Sequence, residues 1–242
     1  MNMKKKLKIT AYSKEYYEGR KKRGSKHPIN IYIRDLVLYH TSNHGRGRLL
    51  EIGCAKGEFL KVIRNDFREV IGIDVSEYAI DVSKQALGKE VTFQWNIETG
   101  IDAPFFKNIF DVVVSVATFE HFHRPDKVLK YTKSLLTNNG YFFLLVPNPN
   151  SLKLKMARLF DRKNKYYFFD DPTHYSFFSR STWEKVLEKS GFRILHSLGR
   201  PFIFPKTKFL LNLYNHGYYN TGILYETGPE MVFICEKLKP QK

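Results

Sequence analysis

The sequence predicts an α/β protein built on a doubly wound, mostly parallel sheet, and three stretches predict it. Leu49-Leu50-Glu51-Ile52-Gly53-Cys54-Ala55-Lys56-Gly57-Glu58-Phe59-Leu60 runs from an apolar segment through small residues into a helical pattern. That is the order of a buried strand, a tight glycine-permitted turn and a helix. Val70-Ile71-Gly72-Ile73-Asp74-Val75 is a second apolar strand that reaches a carboxylate. Phe110-Asp111-Val112-Val113-Val114-Ser115-Val116-Ala117-Thr118 is nearly continuous in β-branched residues, the mark of a central strand buried on both faces. The 242 residues suit one such domain with insertions.

The elements follow in order. Residues 1–44 form a basic arm and a helix, in which Tyr12, Tyr16 and Tyr17 interrupt the basic residues and are suited to packing the arm across a site entrance. Ile29, Ile33, Leu36 and Val37 give one apolar face to a helix over 29–39. The main domain, 45–242, opens with a strand at 48–53, a helix at 57–66 and a strand at 69–75. Ser76 is the N-cap of a helix through Leu87, which Gly88 ends. Strands are expected at 91–95 and 110–118, then a helix from Pro125 to Thr137, with Asn138-Asn139-Gly140 turning into a strand at 140–146. The aromatic, basic stretch 147–178 interrupts the alternation and reads as a substrate lid, since ligands of open α/β sheets bind beyond the C-terminal ends of strands. Ser181 or Thr182 starts a helix that Gly191 ends. Strands near 192–198 and 230–237 flank a second aromatic insertion, 199–228.

Composition narrows the functions. The formal net charge is +16, and half of it lies in residues 1–26, where ten Lys or Arg face only Glu15 and Glu18. Such an arm attracts phosphates or an anionic surface, yet a solvated basic arm has the same composition. There is no run of 18 apolar residues and no apolar segment behind the N-terminal lysines, so neither a membrane span nor a signal peptide is expected, and a cytoplasmic location is. Cys54 and Cys235 are far apart and lack metal-type spacing, and read as reduced, buried thiols.

A glycine turn followed by an acid on the next strand describes a nucleoside site, the acid suiting ribose hydroxyls. A dinucleotide fingerprint places a third glycine five residues after the first, and here that place holds Glu58. Glu51-x-Gly53-x-Ala55-x-Gly57 instead resembles the E/D-x-G-x-G-x-G signature of class I S-adenosylmethionine-dependent methyltransferases, with Ala55 where the family has its middle glycine. Phe119-Glu120-His121-Phe122-His123-Arg124-Pro125 through Leu129 is similar to a segment of the small-molecule group that includes the quinone-biosynthesis enzymes. The resemblance spans about residues 45 to 150. It implies a seven-stranded sheet whose last strand is antiparallel, and S-adenosylmethionine as cofactor. It places Glu51, Gly53, Ala55 and Gly57 in the donor turn, Asp74 on the ribose, Asn96 and Ile97 near adenine, and Ala117 and Thr118 beneath the methionine portion.

Methyl transfer is an in-line displacement on an already activated donor, so the protein positions the acceptor and handles its proton. A neutral imidazole suits that second task near neutral pH. His121, just after the central strand, and His174, in the lid, are the candidate bases or acceptor-orienting groups; helix capping or lid bonding would use the same residues. Glu120 and His121-x-His123 form a weak metal pattern, because on a starting helix the two histidines diverge by about 200°; no metal is expected. The expected function is methyl transfer to a small molecule, at a hydroxyl of a sugar, lipid-linked or quinone-type precursor. One alternative is an RNA methyltransferase using the basic arm, against which stands the absence of an N/D-P-P-Y/F motif after strand four. Another is a non-catalytic donor-binding regulator or scaffold. An NAD dehydrogenase is a distant third, and the oligomeric state is open.

Overall fold

The computed structural model describes residues 12–19, 25, 27–42, 46–100, 109–152, 155, 173–199 and 228–238. Much of the basic arm, residues 156–172 of the lid and residues 200–227 of the aromatic insertion lie outside the described residues.

Two helices precede the sheet: α1 (Lys14–Gly19) and α2 (Pro28–His40). Pro28 suits the first turn of α2, where its missing N–H costs nothing, and the Nδ1 of His27 accepts the Ile29 N–H as a cap. The alternation then runs β1 (Arg48–Ile52), α3 (Glu58–Ile63), β2 (Glu69–Asp74), α4 (Glu77–Leu87), β3 (Thr92–Gln94), β4 (Phe110–Val116), α5 (Pro125–Leu135), β5 (Leu136–Pro147), α6 (Arg180–Lys189), β6 (Phe192–Gly199) and β7 (Glu230–Lys237). As expected, Ser76 caps α4 by accepting the Ala79 N–H, and Gly88 ends it at φ 106°.

The seven strands lie in the order β3-β2-β1-β4-β5-β7-β6. All pairs from β3 to β5 are parallel, and β7 is antiparallel to both β5 and β6. The last strand is therefore the one that runs against the rest. Each central strand is buried on both faces. Leu49, Val112, Val114, Phe143, Val232 and Ile234 pack with α2, α3 and α4. The alternate residues Leu50, Val113, Phe142, Leu144 and Phe233 pack with α5 and α6, around the fully buried Trp183.

The structure corrects two local expectations. Asn138-Asn139-Gly140 is not a turn between helix and strand: α5 stops at Leu135 and β5 begins at Leu136, with no loop between them. Phe110 pairs with Leu136 but Val112 with Tyr141, so the Asn-Asn-Gly segment is an irregularity inside the ladder. Pairing on both sides of the bulge overrode the local turn preference. The other correction is the cap of α6, which is Ser179 rather than Ser181 or Thr182; its Oγ accepts the Thr182 N–H. Gly191 does follow the helix end, at φ 85°.

From β1 the chain builds β2 and β3 to one side, then crosses to β4 and β5 on the other. The C-terminal ends of β1 and β4 thus flank the switch point, where open α/β sheets hold their ligands. Because β7 is antiparallel, Pro147 pairs with Glu230, and the Asn148 side chain donates to the Gly228 carbonyl at 2.8 Å. The roots of the lid and of the aromatic insertion therefore meet at this same sheet edge.

Candidate active site

The turn after β1 is held from below, as the Gly53 and Cys54 N–H groups both donate to the Ile73 carbonyl, at 2.8 and 3.0 Å. Gly53 and Gly57 take φ of 78° and 74°. A Cβ on Gly53 would strike the Thr118 side chain, so β1 and the end of β4 meet there without room for one. Ala55 lies between them at φ 47°, and Ala117 just past β4 at φ 51°. Non-glycine residues in this left-handed region carry strain, which clusters at ligand sites.

Asp74, at the end of β2, is 8 % exposed. Its Oδ2 accepts the Ala55 N–H and its Oδ1 the Ser76 N–H, both at 2.9 Å, so the carboxylate joins the turn to the start of α4. Burial raises its pKa, and the two backbone bonds oppose the rise. The Tyr17 hydroxyl reaches Oδ1 at 3.5 Å, and Ser76 Oγ donates to the Tyr12 carbonyl at 2.7 Å. The N-terminal segment accordingly lies over Asp74 and the start of α4. Burial, then the nearby Asp74 charge, raises the Tyr17 pKa, so the phenol stays protonated and serves as a donor.

Glu51 is 3 % exposed, and its Oε2 is buried with no hydrogen-bond partner among the described residues. Burial pushes its pKa well up, with further contributions from Glu58 and Asp74. A buried carboxylate oxygen left in this state suits a cationic ligand group that would satisfy it. Cys54 is buried, and burial raises its pKa as well, so it is no nucleophile. Past β3, Asn96 caps a short 3-10 turn (Ile97–Thr99) by accepting the Glu98 N–H, and Ile97 is buried against the α5 side of the sheet. Both therefore stand beyond the end of β3, on the Asp74 side of the switch point.

On the β4 side, Phe119–His121 form a single 3-10 turn. The Tyr175 and Ser176 N–H groups both donate to the Glu120 carbonyl at 2.9 Å, tying the return of the lid to this turn. That brings His174 to His121, with ring centroids 4.7 Å apart. The two candidate bases, read separately from the sequence, form a pair. Tyr12 meets the His121 ring edge-on at 5.7 Å. His121 Nδ1 lies 3.1 Å from the Thr173 carbonyl and 2.9 Å from its hydroxyl. Thr173 carried no motif that would have singled it out.

Glu120, His121 and His174 each offer one polar atom, all within 4.8 Å of one another. His123 is not in this cluster; it stacks on Tyr175 at 3.7 Å, as the divergence of the two histidines on a turn requires. The arrangement thus joins a carboxylate cradle and strained turn on one side to a histidine pair on the other. It can hold a polar nucleoside and accept a proton from a group placed beside it.

Residues 27–197 match a family model described as a methyltransferase domain. Over 158 residues, 62 % of this chain, it is 25 % identical to a malonyl-[acyl-carrier protein] O-methyltransferase of a Paenibacillus species, and that match spans 56 % of the relative's length. Over 183 residues it is 26 % identical to a ubiquinone biosynthesis O-methyltransferase of Sinorhizobium fredii, covering 71 % of this chain and 73 % of the relative. Among solved structures, the plantazolicin methyltransferase BpumL, in complex with a pentazolic desmethylPZN analog and SAH, superposes with a TM-score of 0.65 at 17 % identity, over 97 % of this chain and 91 % of that one. An S-adenosylmethionine-dependent methyltransferase from Archaeoglobus fulgidus gives 0.55 at 23 % identity, over 84 % and 94 %.

Proposed function

Since this chain belongs to the class I S-adenosylmethionine-dependent methyltransferases, we propose that it moves the donor's methyl group to a hydroxyl oxygen of a small molecule. The observation that carries this reading is the histidine pair, His121 and His174, set at the same sheet edge as the Asp74 cradle. Both named relatives are, by their names, O-methyltransferases. A carboxylate acceptor is already ionised and has no use for a base, whereas a hydroxyl must lose a proton as its oxygen attacks. The histidines supply that need.

When bound, S-adenosylmethionine supplies a methyl group activated by a sulfonium. Asp74 would receive the ribose hydroxyls, while Ala55 and Ser76 fix its orientation through their N–H groups. Glu51 would take the ammonium of the methionine portion, which accounts for a buried oxygen without another partner. Asn96 and Ile97 would border the adenine, Ala117 and Thr118 the methionine portion, and the turn from Gly53 to Gly57 lets backbone approach closely. His121, assisted by His174, would take the acceptor's proton as the new O–CH3 bond forms. Tyr12 and the return of the lid keep His121 only 8 % exposed, which limits competing water.

The test offers the purified chain methyl-labelled S-adenosylmethionine together with a catechol or other phenol, a sugar, a carboxylic acid, or single-stranded RNA. Label in an ether linkage on a phenol or alcohol is the expected outcome, with His121→Asn losing turnover by roughly a hundredfold or more, the scale of a general base. Label confined to RNA, with a steep fall in rate as salt rises, would overturn the small-molecule reading in favour of the basic arm.

A further inference from the structure

The lid's first described residue after its long insertion, Thr173, is 7 % exposed and sits 52 positions from His121 in the chain. A backbone carbonyl has no hydrogen to give, so a hydrogen bond between it and the ring nitrogen 3.1 Å away forms only when that nitrogen carries the proton. If Nδ1 were unprotonated, its lone pair would face the carbonyl's own. The Thr173 hydroxyl, at 2.9 Å from the same nitrogen, can turn its hydrogen elsewhere and accept as well. A neutral imidazole carries one N–H, so fixing it at Nδ1 leaves the lone pair on Nε2.

We infer that Thr173 is a positioning residue: through its carbonyl and hydroxyl it locks His121 in the Nδ1–H tautomer, so that Nε2 is the atom that accepts the acceptor's proton. The inference deepens the hydroxyl-methylation reading and rests on it for its catalytic meaning. In the step, the acceptor's O–H bond breaks and its proton goes to Nε2. The acceptor oxygen's electron pair forms the bond to the methyl carbon, and the former carbon–sulfur pair stays on sulfur. The resulting imidazolium still donates Nδ1–H to Thr173, so the ring does not turn during the reaction. Among the described residues, Glu120 on its own turn, His174 from the lid and Tyr12 from the N-terminal segment stand near the ring. The strip that carries Thr173 is itself tied to this turn, since the Tyr175 and Ser176 N–H groups both donate to the Glu120 carbonyl.

The experiment is 15N NMR on the full chain labelled at histidine, at neutral pH, with His121→Asn used to assign the His121 signals. Asparagine keeps an N–H near the Nδ1 position and loses Nε2. The expected result is a pyrrole-type Nδ1 and a pyridine-type Nε2. The reverse pattern, or an averaged pair of signals, would overturn the inference. One equivalent of Zn2+ that stays bound through dialysis and moves the Nε2 signal would overturn the proton-accepting role of Nε2, since Nε2 would then be a ligand. In turnover, Thr173→Ser is expected to keep kcat, and Thr173→Val to lower it about tenfold, the scale of one hydrogen bond on the ring, with the donor Kd unchanged. Equal kcat for Ser and Val variants would remove Thr173's hydroxyl from the role. Should no acceptor be methylated by the native chain, the hydroxyl reading fails on its own, while the NMR pattern still decides the tautomer.

Discussion

Ala55 occupies the middle of the turn after β1 at φ 47°, where the resembling signature has glycine. The left-handed conformation costs an L-residue roughly 1–2 kcal/mol, while glycine gives back about 0.5–1 kcal/mol in chain entropy. Ala55→Gly is therefore expected to stabilise the fold by about 0.5–1 kcal/mol in urea unfolding, with donor binding retained. A variant less stable than the native chain would show that the Ala55 methyl makes packing contacts worth more than the strain. The motif itself was legible because its residues are consecutive, and so was Asp74, which ends an apolar run. Thr173 and Tyr12 were not legible as partners of His121. They join it across 52 positions and from the N-terminal segment, through a carbonyl and a ring edge that no residue pattern announces.

Elements were read well wherever both local pattern and packing agreed, as in α4, bounded by Ser76 and Gly88, and poorly where they competed. The Asn138-Asn139-Gly140 segment has turn chemistry, but the pairing of β5 with β4 and β7 holds it in the ladder. A similar contest of levels appears at the end of α2. His40 packs on His196 of β6 at 4.8 Å, and burial, then His196, lowers its pKa from 6.5 to about 4. Its folded pKa lies below the unfolded one, so the unfolded chain binds more protons between these values and stability rises with pH. The contribution is fully present above pH about 6.5 and is lost as pH falls through about 4. Thermal melts from neutral to acid pH should therefore show a smaller loss of Tm in His40→Phe than in the native chain. Equal losses would place the acid sensitivity in other groups.

At the scale of the whole molecule, the doubly wound sheet and its single switch point gather residues from β1, β2, β4, the lid and the N-terminal segment at one edge. The class was legible because buried parallel strands and glycine turns are local signals, and the antiparallel last strand came from the resemblance; the spatial order β3-β2-β1-β4-β5-β7-β6 is set by long-range pairing that no local pattern carries. The insertions carried composition without pattern, so only their roots, at Asn148, Thr173 and Gly228, inform the site. No helix among the described residues is long and apolar enough to cross a membrane. The central claim is that this edge is a methyl-donor site anchored by Asp74. Calorimetric titration of the full chain with S-adenosylmethionine, S-adenosylhomocysteine and NAD, repeated on Asp74→Ala, tests it most directly. The account predicts micromolar binding of the first two and none of NAD, weakened roughly tenfold or more when the carboxylate's charge-assisted hydrogen bonds are removed. No binding, a preference for NAD, or equal affinity in Asp74→Ala would contradict it.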